Sequence, residues 1–449
     1  MAYIQRTIGT PTSTTTFTFS FWCKGGNGNI WGGDYANVFS YGLASDVNAQ
    51  RGQIQFNDSA KDGKLVFGWN PTGSSWNKYI TNRLFRDTAW YHIVVAVDTS
   101  QASAGDRIKM YVNGVQETSF GTENQPSQND NLGFGTSGDF HRLGAYNDGG
   151  GEYTGYFSHF HFIDGTQCLP TVFGEEDATT GEWKIKTDVS VTYGNNGYFL
   201  FKDDASLTDQ SGNGNNFSAT SGTIQKSEDN PSNNFATLNP LYKSNNAQSL
   251  RTGNTVHDHN GTTYWIGLLT TLGMDKGKYY AEAKIEDNSN TTCGVAGDVT
   301  SMATRNTSNN GYIGKHSDEW GIWANGNIQH NSTTTSSYTS AFSNGDIVMI
   351  AIDMGTGSDG KVYFGRNGTW GGSSNPSDGT SPAYSGITFP STMFFASGLE
   401  GGEIAWNFGN GYFATTAVSS EGTNASGNGI FEYDVPTGYT ALSTKGLNE

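Results

Sequence analysis

The chain is 449 residues long with a formal net charge of −17, from 25 Lys and Arg against 42 Asp and Glu. That length allows two or three domains with ordinary cores, and that charge argues against a nucleic-acid grip, which needs clustered cations to neutralise phosphates. Only 15% of residues are charged, 13% are aromatic and 61 are Gly, a balance unlike that of disorder and suited to short strands joined by many turns.

In chain order, residues 14–21 read as a strand with Phe17, Phe19 and Phe21 on one face, and 53–56 and 64–69 continue the series between turn residues. Residues 90–98, Trp-Tyr-His-Ile-Val-Val-Ala-Val-Asp, are apolar on both faces and suit a strand covered on each side. A polar loop follows, and then 107–114, where Ile108, Met110 and Val112 alternate with polar neighbours up to Asn113-Gly114. After a Gly/Asn/Gln-rich loop over 121–138 come 141–146 and 155–165. Residues 169–240 change character: they carry Trp183, Tyr193, Tyr198 and Phe217 among many Asn and Gly, too aromatic for a free linker, and are expected to be ordered with little regular structure, held by aromatic side chains against the first sandwich. Strands are then expected at 278–285, 319–323, 345–353, 361–368, 393–398 and 403–409. The pair 345–353 and 361–368 repeats the pattern of 90–98 and 107–114: an apolar run ending in Asp, a loop, an alternating strand and Asn-Gly. Asp98 and Asp353 read as turn residues that close a buried strand. No amphipathic helix of useful length appears.

Phe19-Ser20-Phe21-Trp22, Trp90-Tyr91-His92, Val112-Asn113-Gly114, Leu143-Gly144 and Gly155-Tyr156-Phe157, in that order, resemble a LamG-like, concanavalin A-like jelly-roll domain. Lys278-Tyr279-Tyr280-Ala281-Glu282, the Gly345-Asp346 hairpin ending Arg366-Asn367-Gly368-Thr369-Trp370, and Asn407-Phe408-Gly409 resemble a SPRY domain. The stretches 193–201, 209–217 and 233–240 resemble the connector between these two domains in marine bacteriophage structural proteins, and Pro436-Thr437-Gly438-Tyr439 resembles their ending. The resemblance implies an all-β chain of two antiparallel β-sandwich (jelly-roll) domains, 1–168 and 241–449, joined by an irregular ordered connector, 169–240. It implies a non-enzymatic virion structural protein, a capsid decoration or head-fibre-like component in several copies, assembled in the host cytoplasm. Its partners would be other virion proteins and host-surface glycans or proteins. A tail fibre or tail-associated receptor-binding protein is the alternative, and a capsular polysaccharide hydrolase a further one.

The residues offer little chemistry for catalysis. Retaining glycoside cleavage needs two carboxylates about 5 Å apart, and the first domain lacks the Glu-x-Asp-x-x-Glu strand that would supply them. Glu282 and Glu286, with Lys284 between, read as a solvated strand face. No nucleophile elbow or P-loop is present. His159-Phe160-His161 and the loop His257-Asp258-His259 lack a third ligand at a suggestive spacing. The LamG resemblance implies a rim calcium for which Asp148 and Glu152 are the candidate oxygen ligands, but a flexible polar turn is the preferred reading of that loop, and no cofactor is expected. Cys23, Cys168 and Cys293 are too few and too scattered for a disulfide framework. No run approaches the roughly 18 apolar residues of a membrane span, residues 1–16 have no signal-peptide pattern, and the first sandwich is expected to bind the particle itself, without a separate anchoring segment before it. The Asn-x-Ser/Thr triplets at Asn216, Asn331 and Asn367 are what chance gives a chain so rich in these residues. Binding therefore rests on exposed aromatics. Trp320 and Trp323 must point to opposite faces of one strand, and Trp370 precedes a Gly/Ser loop that carries Asn375.

Overall fold

Alternating and doubly apolar runs become antiparallel sheets, and α-helix is confined to two four-residue turns, Met302–Arg305 and Thr444–Leu447, among the described residues. The computed structural model describes residues 2–26, 35–43, 51–57, 62–242, 248–259, 261, 264–305 and 310–448. They divide into two compact units, Met1–Lys226 and Ser227–Glu449. Each is a β-sandwich.

In the first unit an eight-stranded sheet runs Phe120–Glu123, Asn77–Leu84, Lys64–Asn70, Arg51–Phe56, Ala36–Gly42, Phe140–Leu143, Tyr3–Thr7, Ser218–Ser221. A six-stranded sheet runs Tyr198–Leu200, Gly155–Asp164, Thr16–Gly25, Trp90–Asp98, Ile108–Val112, Val115–Gln116. Phe17, Phe19 and Phe21 pair with Val97, Val95 and Ile93, and all six side chains enter the core against Phe39, Phe67 and Phe134. Val94 and Ala96 point the other way. They are covered by Ile163, Cys168 and Phe173, with Val172, Val189, Val191 and Tyr193 at the margin. This second layer is why the 90–98 run is apolar on both faces.

The boundary therefore falls elsewhere than the sequence suggested. Residues 169–226 are part of the first unit, and 227–240 contribute Phe235, Ala236 and Leu238 to the second. Leaving a Val-lined sheet face in water costs about 1.5–3 kcal/mol per large side chain, so the stretch after the last strand folds back as cover. Amides fix its path as much as aromatic rings do. Asp209 accepts from the amides of Phe199, Ser211 and Asn215, and Asn213 and Asn215 donate to the carbonyls of Gly194, Asn195 and Gly197. Asn196 bonds Gly9 in both directions, at 2.8 and 3.0 Å.

The second unit repeats the plan. A nine-stranded sheet has the path Gln248–Arg251, Val256–His259, Glu403–Asn407, Lys278–Asp287, Ile347–Asp353, Gly360–Arg366, Thr369–Trp370, with Tyr384–Ile387 and Thr440–Ala441 pairing off it. Facing it is a six-stranded sheet: Ile266–Leu269, Met393–Leu399, Thr291–Gly297, Glu319–Trp323, Ile328–His330, Thr333–Thr335. Val348, Ile350 and Ile352 enter the core, whereas Met349 and Ala351 point outward under Phe235, Phe431, Val435 and Tyr439. Here the C-terminal segment is the cover.

The two matching hairpins are the same device. Asn113-Gly114 (φ 48° and 79°) and Asn367-Gly368 (47° and 81°) are two-residue turns with both φ positive, the kind that matches strand twist. Each Asn side-chain oxygen also accepts from the first residues of the preceding strand, His92 N and Ile347 N, both at 2.8 Å. A ring from the covering segment lies on each glycine. A Cβ on Gly114 would meet the Trp183 ring at 2.6 Å, and one on Gly368 the Tyr433 ring at 3.0 Å. Asp98 caps its turn by accepting from Ser100 N, and Asp353 by accepting from Gly355 N.

Candidate functional site

The structure separates the four aromatic and amide candidates. Trp320 is core, 4% exposed and stacked on His330 with centroids 4.6 Å apart. Trp370 is half-buried beneath the C-terminal cover, edge-on to Tyr280 at 6.2 Å and Tyr363 at 6.4 Å. Asn375 is exposed but closes its own turn, donating to Asp378 at 2.8 Å and accepting from Ser377 N at 3.1 Å. Only Trp323 leads outward to a cluster.

Trp323, Trp265 and Tyr312 meet over one end of the six-stranded sheet, with centroid separations of 5.1, 5.1 and 5.5 Å. Trp320 and Ile322 share the core face, and Trp323 points to the opposite one, as strand alternation requires. Trp265 stands one residue before the Ile266↔Leu399 pair, so it lies alongside Glu400, whose carboxylate accepts from Asn290 Nδ2 at 3.1 Å. Tyr312 is brought across the sheet by the 310–316 segment. Thr292 Oγ1 accepts from Ile313 N and donates to Gly398 O, both at 3.0 Å, and a Cβ on Gly398 would lie 2.2 Å from Gly311 O. The same segment is pinned by a buried charge network: Arg305 to Glu319 at 2.6 Å and to Asp318 at 2.9 Å, with Glu319 also accepting from Gly314 N and His316 N. Lys315 Nζ stands 5.6 Å from the Tyr312 ring centroid. Trp323 Nε1 is buried without a hydrogen-bond partner. The result is a cluster in which Trp323 and Tyr312 are half-buried over a buried Trp265, with an amide, a carboxylate and an ammonium nearby, a set of rings and polar groups that can take up sugar rings and hydroxyls. Trp265 and Tyr312 escaped the sequence reading because they are far from Trp323 in the chain.

The remaining candidates are structural. Glu282 is not on a solvated face: it is 0% exposed beneath the C-terminal segment. Lys284 and Glu286 pair with each other at 3.0 Å on the same strand. His161 lies under Phe173 and Phe199 with Nδ1 on Tyr193 Oη at 2.8 Å, and burial pushes its pKa well below the ordinary value. A bulge at His159 (φ 47°) interrupts the pairing there. His257 sits in a strand, not a loop, buried with Nδ1 3.0 Å from Ser397 Oγ. Asp148 turns its Oδ1 back onto Gly150 N at 2.7 Å, and Glu152 bridges to Asn37. Beside them Asn37 and Gln55 stand opposite each other across two strands, with Oδ1 and Oε1 buried and unbonded. Among the described residues no group of three His, Cys, Asp or Glu is placed to hold a metal, and no helix is long and apolar enough to cross a membrane.

Comparison with known families gives the two units their class. Residues 2–167 match the model described as the concanavalin A-like lectin/glucanases superfamily, and residues 278–410 match that of the SPRY domain. The chain thus carries a concanavalin A-like domain followed by a SPRY domain, both β-sandwiches, a pairing that suggests a binding or adhesion role. Similar solved structures include the SPRY domain of human HERC1, at 19% identity over 36% of this chain and 89% of that one (TM-score 0.26). The SAP-like pentraxin of Limulus polyphemus, a native heptamer, is 16% identical over 50% of this chain and 88% of its own (TM-score 0.32). No curated protein matches the chain.

Proposed function

We propose that the protein is a non-enzymatic carbohydrate-binding component of a bacteriophage particle, displayed on the capsid as a decoration or head fibre. In this reading the SPRY unit takes up host-surface glycans at the Trp265–Tyr312–Trp323 rim. The observation that carries the binding reading is that rim itself: three rings held together by a segment that a buried Arg-carboxylate network fixes in place. Placement on a phage rests on the resemblance of the 193–240 stretch to the connector of phage structural proteins. This reading assigns no role to a metal.

Binding of the purified chain to immobilised host polysaccharides tests the site. Trp323→Ala removes a packed ring and is expected to lower the melting temperature; assayed well below that temperature it is expected to weaken binding at least tenfold, and a chelator is expected to leave binding as it was. Full binding by Trp323→Ala would remove the rim from consideration. New reducing ends released from the polysaccharide would favour a hydrolase instead. Cryo-EM of the intact particle tests the location: density on the capsid is expected, and density confined to the tail would favour a tail-associated receptor-binding protein.

A further inference from the structure

The C-terminal cover of the second unit is fastened at one buried carboxylate. Glu282 Oε1 accepts from Tyr433 N at 2.8 Å and from Tyr280 Oη at 2.9 Å, and Oε2 accepts from Glu432 N at 2.9 Å and from Asn407 Nδ2 at 3.4 Å. Two consecutive backbone amides of the covering segment therefore end on one side chain of the sheet. Asn407 adds a second fastening by donating to Ile430 O at 2.9 Å.

The cations nearest this point are each already paired with another carboxylate. On the covering segment, Glu432 is held by Ser419 and Asp434 by Thr423. From the neighbouring hairpin Asp346 acts on Tyr433, and it is already paired with Arg366 at 2.6 Å. On Glu282's own strand Lys284 is paired with Glu286 at 3.0 Å. Tyr280 and Tyr433 are the remaining titratable neighbours, and burial raises both phenols above their usual value. Glu282 is thus a buried carboxyl held only by neutral donors. Tyr280 can turn its hydroxyl to accept a proton from it, so a neutral Glu282 can also be satisfied there.

We propose that the 419–441 segment is a strap with a proton-operated catch at Glu282, gripping harder as pH falls and loosening as it rises. Closing the strap removes Glu282 from water, and an uncharged acid enters that site at less cost than an anion. Burial, opposed by the hydrogen bonds, raises its pKa to about 7. A strap-open Glu282 in water would titrate near the ordinary value of about 4.3. The closed state thus binds the proton more tightly, and its advantage is greatest below the open-state pKa and shrinks until pH passes the closed-state value. An open strap would bare Met349, Ala351 and Tyr363.

Hydrogen exchange on the full chain, corrected for intrinsic rates, tests this at the Glu432 and Tyr433 amides. Protection is expected to fall roughly 50–100-fold between about pH 5 and pH 8.5 in the wild type, and to stay flat in Glu282→Gln. Flat protection in the wild type, or the same fall in the variant, would overturn the proposal. Should the variant not fold, the wild-type Glu282 carboxyl can be titrated by NMR. A midpoint near neutrality supports the catch, and an ordinary acidic midpoint sinks it.

Discussion

Acid should unfold the first unit, and buried histidines set the size of the effect. His92 accepts from Trp183 Nε1 on Nδ1 at 3.0 Å, so Nε2 carries the proton and donates to Ser20 Oγ at 2.9 Å. His141 donates from Nε2 to the Phe134 carbonyl at 2.8 Å. Both rings are neutral, and burial lowers each pKa to about 3. An unfolded histidine titrates near 6.5, so the stability these groups protect is complete above that value and is lost as pH falls toward their folded pKa. At pH 4.5 each costs about 2.7 kcal/mol, or about 5 kcal/mol together. Asp139 works in the opposite sense. It is buried with both oxygens unbonded, and burial raises it to about 6, so its protonation relieves about 2 kcal/mol over the same range. These two histidines alone outweigh Asp139 by about 3 kcal/mol, and His159 and His161, which burial also lowers, add to the loss, so the melting temperature of a unit this size should fall by at least roughly 10 °C. Thermal melts between pH 7 and 4.5, with ring-proton titration by NMR, check this. A melting temperature that holds or rises on acidification, or rings that titrate near 6.5, would refute the burial argument.

Other perturbations give ordered outcomes. Gly114→Ala and Gly368→Ala both place a Cβ at positive φ, a strain of about 1 kcal/mol, but only the first drives it to 2.6 Å from an indole; the Gly114 variant should lose clearly more stability by denaturant titration, and equal losses would contradict the packing. Arg305→Met leaves Asp318 and Glu319 buried without their cation and should cost about 3–5 kcal/mol in the second unit. A loss under about 1 kcal/mol in that titration would mean that the network is not load-carrying.

Sheet positions were legible wherever packing repeats with the strand period. Phe17, Phe19 and Phe21 announced a core face, and the doubly apolar 90–98 and 347–352 runs announced a second covering layer. The 169–240 stretch was expected to lie against the first sandwich through its aromatic residues, as Phe173 and Tyr193 do beside Val94; that Phe431 and Tyr439 cover Met349 was not legible, because they lie far along the chain. Glu282 shows the same limit. Its alternation with Ala281 and Ala283 is that of any half-solvated strand, and only the returning C-terminal segment makes the polar face an interior. The Trp265–Tyr312–Trp323 rim needs three strands and a crossing loop to assemble, whereas the single-residue inference that Trp320 and Trp323 part company followed from strand geometry alone.

The order in which each unit is completed has a consequence for its biogenesis. In both, the central hairpin leaves the ribosome well before the residues that roof it, so Val94 and Ala96 await Phe173, and Met349 awaits Phe431. Translation at about 5–20 residues per second leaves each sheet bare for several seconds, a window in which such surfaces invite chaperones or aggregation. A fragment ending at residue 168 makes that window permanent and should aggregate, whereas one ending at 226 should stay monomeric on size-exclusion chromatography. If both behave alike, the roof is dispensable; otherwise nascent sheets here depend on what has yet to be translated.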